Sequence, residues 1–161
     1  MTRFTAAYNR IFGSGPAIAL AGAGALLIGR GLARLTPELA LPVPASLRLA
    51  GLVLALGLGS ALIAWSVRTL TPERRGRALV TGGPFRFVRH PLYAAFLSIL
   101  APALILVLAH PAYLATLVLA HAGAHLVIGH EEALMEEWFP DSYPAYRRRT
   151  GRFVPRLTVF P

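Results

Sequence analysis

Neither cysteine nor lysine occurs in the 161 residues. Without cysteine there are no disulfides, no thiolate metal ligands and no sulfur nucleophile, and the redox compartment is left open. Without lysine, arginine is the only fixed cation: 16 basic residues against 7 acidic ones give a formal net charge of +9. Charge is nonetheless sparse, at 14% of residues, where a soluble domain carries roughly a quarter. What abounds is apolar character, 55% of residues, with a positive mean hydropathy. A basic balance serves nucleic acid when the cations share a face of a soluble fold. These arginines sit at the ends of apolar runs, so anionic lipid headgroups are the expected partners and nucleic acid is not. No linker-like stretch divides the chain, and one membrane domain over 1–161 is expected.

Long charge-free runs give the architecture. Nineteen uncharged residues separate Arg10 from Arg30, and nineteen separate Arg48 from Arg68, close to the roughly 20 that cross a hydrocarbon core as a helix. These predict two spans within 1–70. From Pro91 to His130, forty residues carry no Asp, Glu, Lys or Arg. As one helix they would reach about 60 Å, twice the core, so the run must fold back. His110 and Pro111 at its middle supply the break. The expected fold is all-α: an integral membrane bundle of about four transmembrane helices, the last two a hairpin over about 91–130, followed by a short cytoplasmic helix near the C-terminus. The "AGA" of the first run resembles a signal-peptide cleavage site, but with three more spans behind it the run reads as a retained helix. With both termini cytoplasmic, thirteen of the 16 arginines fall inside and Arg30, Arg34 and Arg48 outside, as the positive-inside rule prefers. In a bacterium the location would be the inner (plasma) membrane.

The glycines of "AGAGALLIG" and "LGLGS" stand inside spans, with no strand before them to build a dinucleotide loop. Close helix packing is expected of them. Packing the hairpin antiparallel brings its two charged ends together, roughly 8–10 Å between axes. One corner holds Arg89, His90 and the amides of a helix N-terminus opened by Pro91, a setting for a carboxylate or phosphate. The other holds Glu131 and Glu132, suited to an ammonium or a ribose diol. A ligand with both an anion and a cation would bridge them; alternatively, Arg89 pairs with Glu132 and only anchors the hairpin. Ionisable groups at a membrane edge are costly and point first to function. His121, His125 and Glu132 share one helix face. Such a set can ligate iron or zinc, with His90 and His130 nearest to complete it. A polar helix contact or cleft lining is the preferred reading, and no metal is expected.

The segment "LVTGGPFRFVRHPLY", a hairpin, and then "EEALMEEWFPDSYPAYRRRTGRFVP" together resemble the isoprenylcysteine carboxyl methyltransferase family and the related phospholipid N-methyltransferases, over residues 77–156. The resemblance implies an integral membrane methyltransferase whose S-adenosylmethionine sits on the cytoplasmic side, in a helical pocket and not on a Rossmann sheet. Carried onto this sequence, the cofactor positions are Arg77, Ala78, Leu79 and Val80, then Phe85, then His90, Pro91, Leu92 and Tyr93 beside Arg89. Glu131 follows, with Glu132 completing the acidic pair. Tyr143, Tyr146 and Arg152 match the family's tail, which is expected to close the pocket. Phe85 stands where tyrosine is usual, and Pro140 where a glycine commonly follows the phenylalanine. Val127 replaces an arginine that meets the substrate in the isoprenylcysteine enzymes, so the resemblance implies the cofactor site more directly than a prenylcysteine acceptor.

Methyl transfer from a sulfonium is an in-line displacement that asks mainly for positioning and exclusion of water. An amine acceptor would also need a base, and Glu132 and His125 are the catalytic candidates. The expected acceptor is a lipophilic small molecule or lipid entering from the bilayer, either isoprenylcysteine-carboxylate-like or another isoprenoid or lipid. The alternatives are phosphatidylethanolamine N-methylation, a non-enzymatic scaffold binding anionic lipid, and a metal-dependent membrane oxidoreductase.

Overall fold

A computed structural model describes residues 15–74 and 77–156. The expectations that fall on Arg3, Arg10 and Arg75 lie outside the described residues. Among the described residues, four helices are long and apolar enough to cross a membrane: α1 (Gly15–Leu35), α2 (Ala45–Thr69), α3 (Pro91–Leu108) and α4 (Ala112–Trp138). A short α5 (Tyr143–Arg149) follows. Among the described residues there is no strand, only one isolated bridge between Val88 and Gly151. The chain is an all-α integral membrane bundle.

Prolines punctuate it. Pro44 precedes α2, Pro91 opens α3, Pro111 precedes α4, and Pro144 stands in the first turn of α5. At these places the missing N–H would have had no intrahelical acceptor. Pro102 is different, because it sits within α3. It has no N–H for the carbonyl of Ser98, and its ring crowds that carbonyl. The helix widens into a π turn over Ala95–Leu100 immediately before it, one of the recognised ways a helix absorbs such a break.

The hairpin turns where the sequence placed it. α3 ends on Ala109 in the left-handed region at φ 47°. The turn then docks on the α1–α2 connection: Leu41 N–H donates to Ala109 O at 2.7 Å, and His110 Nε2 donates to Thr36 O at 2.8 Å. Arg48 caps the same end, donating from Nε to Val43 O at 2.9 Å. Arg30, Arg34 and Arg48 therefore share one end of the bundle. Arg68, Arg74, Arg77, Arg86 and Arg89 lie at the other, with α5 and the tail.

Laterally, α1 packs on α4 and α2 on α3. The pairs join where Ala94 and Leu97 of α3 meet Ala124 and Ile128 of α4, with Val88 and Phe153 completing this small core. Leucines such as Leu20, Leu27, Leu54 and Leu126 point outward and are exposed, as lipid-facing residues of a bilayer protein are. The packing role expected of the glycines falls on some of them only. A Cβ on Gly29 would lie 2.7 Å from Thr116 Cγ2, and one on Gly59 2.9 Å from Leu100 Cδ2. At Gly22, Gly24 and Gly57 it would meet nothing within 4 Å. Gly29→Ala should therefore lower the melting temperature of the purified protein, in line with the roughly 1–3 kcal/mol of an overpacked contact. Gly24→Ala should not, and equal melting curves for the two would refute this account of the α1–α4 seam.

Candidate active site

The polar end is organised by the loop between α2 and α3. Gly83 takes φ 58°, and a Cβ there would stand 2.7 Å from Thr69 Oγ1, so only glycine makes this turn against the end of α2. The following 3-10 turn, Gly83–Arg86, buries Phe85, whose carbonyl accepts from the Tyr146 hydroxyl at 2.7 Å. The loop is then clipped to the tail. Arg89 N–H donates to Gly151 O at 2.8 Å and His90 N–H to Arg152 O at 3.1 Å. Gly151 is required as well, since a Cβ would fall 1.7 Å from the carbonyl oxygen of Val154.

This clip aims two arginines at one carboxylate. Glu132 is 2% exposed. Arg89 Nε reaches its Oε1 at 2.8 Å, Arg152 Nη2 its Oε2 at 2.5 Å, and His90 Nε2 lies 3.3 Å from Oε1. Arg89 Nη1 donates to the carbonyls of Arg147, at 3.1 Å, and Thr150. Arg152 Nη1 donates to His125 O and His125 Nδ1, both at 2.9 Å. A guanidinium can only donate, so His125 Nδ1 is the accepting nitrogen and the ring proton sits on Nε2.

Glu131 differs from its neighbour. Successive helical residues point about 100° apart, and Glu131 turns toward open space, where it accepts from the Tyr93 hydroxyl at 3.1 Å and lies 3.8 Å from His90 Nδ1. That space is a cavity of about 880 Å³. Its polar end is lined by Arg89, His90, Glu131, Tyr143 and Tyr146, and its apolar arm runs between α1, α3 and α4 as far as Leu26, Ile105 and Thr116. Tyr143 is 2% exposed and its hydroxyl, at the cavity wall, has no hydrogen-bond partner among the described residues. Burial, followed by the nearby Glu132 charge, pushes that hydroxyl up to about 12 from an ordinary 10.0. Burial raises Tyr146 too. Both tyrosines are neutral at physiological pH.

Of the residues singled out in the sequence, Ala78, Leu79, Val80, Phe85, Arg89 and His90 line this cavity, as do Pro91, Leu92, Tyr93, Glu131 and Tyr146. Arg77, Glu132, His125 and Arg152 stand outside its lining. Glu132 and Arg152 form the ion-pair layer behind it, and His125 packs on Phe153, ring centroids 4.9 Å apart, on the far side of α4. Among the described residues no group of three or more His, Asp or Glu converges as a metal site would. The wall supplied by α1 escaped the sequence reading, because its small residues carry the same signal whether they pack a neighbour or border a void.

The fold and the cavity together describe a helical membrane bundle that joins a charged pocket to an apolar slot between its spans. Residues 45–137 match the isoprenylcysteine carboxyl methyltransferase (ICMT) family, and the chain belongs to that family. It is also similar to the cobalt-zinc-cadmium resistance protein CzcN of Cupriavidus metallidurans, 38% identical over 89 residues. That match spans 54% of this chain and 40% of the relative's length.

Glu132→Ala would leave the buried Arg89 and the half-buried Arg152 without their counter-charge, and should cost about 3–5 kcal/mol in denaturant unfolding. Glu136→Ala, at the exposed pair with Arg147, should cost less than about 1 kcal/mol. Similar losses for both would overturn the central role given to Glu132. Tyr143 adds a pH dependence. Its hydroxyl ionises at a higher pH folded than unfolded, so stability is full below pH 10 and falls as pH climbs from 10.0 towards about 12. Tyr143→Phe should flatten that part of the profile.

Proposed function

We propose that the protein transfers the methyl group of S-adenosylmethionine to a lipophilic acceptor at the cytoplasmic edge of the bilayer. The observation that carries this reading is the single cavity joining an ionised end to an apolar arm, which suits a zwitterionic cofactor and a greasy acceptor meeting head to head. The residues present fit the cofactor. Glu131 offers a carboxylate to an ammonium or a ribose, and the unpartnered Tyr143 hydroxyl offers a donor. Arg89 lines the polar end with a guanidinium, a donor set suited to an anionic group of the cofactor.

When bound, S-adenosylmethionine supplies an electrophilic methyl on a sulfonium. The chain's residues then have to orient, neutralise and exclude water. Leu79, Val80 and Phe85 form an apolar flank to the polar end, keeping it dry. Glu132 acts as a positioning residue through Arg89 and Arg152, and not as a base, since arginine donors already occupy its oxygens. His125 acts likewise, its accepting nitrogen being held by Arg152. A carboxylate acceptor brings its own nucleophilic charge. For an amine, Glu131 is the carboxylate inside the cavity able to take the proton. The concentration of arginines at this end supports a cytoplasmic orientation.

Calorimetry on the purified protein should register S-adenosylmethionine binding. Glu131→Ala should weaken it at least about tenfold, or about 1.4 kcal/mol, and Glu136→Ala should leave it unchanged. Radiolabelled methyl transfer to extracted membrane lipids, followed by mass analysis, should then find label in an ester or an amine. A wild type that binds no cofactor and labels no lipid would sink the reading.

A further inference from the structure

Helix α1 lies wholly outside the family-matched residues 45–137, yet through Ile18, Gly22 and Leu26 it forms one wall of the cavity. Two of its glycines, about 10 Å apart along the axis, do opposite things. At Gly22 a Cβ would meet nothing within 4 Å, so the missing side chain is open slot. At Gly29 a Cβ would lie 2.7 Å from Thr116 Cγ2 and 2.9 Å from Tyr113 Cδ1, so α1 and α4 touch and the space between them ends. On α4 the cavity lining stops at Thr116, which is 4% exposed. Between Glu131 and Thr116 the helix rises roughly 22 Å. The slot thus has a polar head, apolar walls and a floor where two helices close.

We infer that α1 sets which acceptor chains the enzyme takes: the space beside Gly22 admits the apolar chain, and the contact of Gly29 with Tyr113 and Thr116 stops it. The inference rests on the methyl-transfer reading above and goes beyond it, because it assigns acceptor selection to a helix that the family match does not include. A chain longer than the slot holds its head group back from Glu131 and the reacting end. One that fits seats the head there. Gly22 and Gly29 are on this account specificity-determining residues that touch no reacting atom.

The test uses the purified full-length protein with S-adenosylmethionine and a series of N-acetylcysteines carrying S-linked isoprenoid chains of increasing length, with bound species weighed by native mass spectrometry. The wild type should hold chains up to a limit. Gly22→Leu should weaken the longest accepted chain at least about tenfold and move the limit to a shorter one, with the shortest chains and the cofactor bound as before. Gly24→Leu, on a face that does not line the slot, should keep the wild-type limit. Should Gly22→Leu not fold, Ala120→Leu fills the slot from the α4 wall and makes the same test. An unchanged length profile in the filled variant, or a wild type that holds all lengths alike or none, overturns the inference. A wild type that shows the length limit but binds no S-adenosylmethionine overturns the methyl-transfer reading and leaves the selection by α1 standing.

Discussion

The buried carboxylate of Glu132 is the fixed point of this molecule. Taking an ion out of water at the rim of a bilayer costs several kcal/mol unless its oxygens are all engaged. Here Arg89, Arg152 and His90 engage them from two other segments of the chain. Those partners come from the loop before α3 and from the tail after α5, so the requirement to neutralise one residue of α4 brings three remote stretches together. The backbone clip between Val88–His90 and Gly151–Arg152 follows from the same convergence. Everything that walls the polar end of the cavity is attached to one of those stretches.

Placing Glu132 and Arg152 behind the cavity, and not in its lining, leaves the cavity side to a second carboxylate with different work. Glu131 is partly exposed and lines the cavity beside Tyr93 and His90. Adjacent residues on a helix thus divide between holding the site together and facing what enters it. The apolar arm costs nothing comparable, since hydrocarbon in contact with lipid or with an acceptor chain pays no dehydration penalty. A bundle surrounded by lipid can therefore carry an open apolar slot without exposing its hydrocarbon to water.

Much of this was legible in the sequence because the bilayer enforces simple rules. The spans follow from charge-free runs, the fold-back from a run twice too long, and the break from His110-Pro111. The pairing of the Arg89–His90 corner with the Glu131–Glu132 corner follows from the hairpin. What could not be read was the division of labour between the two glutamates. It depends on a rotation of about 100° per residue relative to a cavity whose position no pattern announces. Nor could sequence tell Gly22 from Gly29: both are small residues on one helix, and only the neighbour across the gap makes one a void and the other a seam. The π turn in α3 was equally hidden, since Pro102 announces a disturbance without saying how the helix will absorb it. Nor does any pattern show that the accepting nitrogen of His125 faces the Arg152 guanidinium.

The clip between loop and tail bears on the order in which the molecule can be made. Arg89 reaches Thr150 across 61 positions of chain, and a ribosome delivers the N-terminal partner first. The four spans can be threaded into the membrane while Arg89 and Glu132 still lack Arg152. The ion pairs are complete only once Arg152 has followed, so the spans can assemble first and the polar end is closed afterwards.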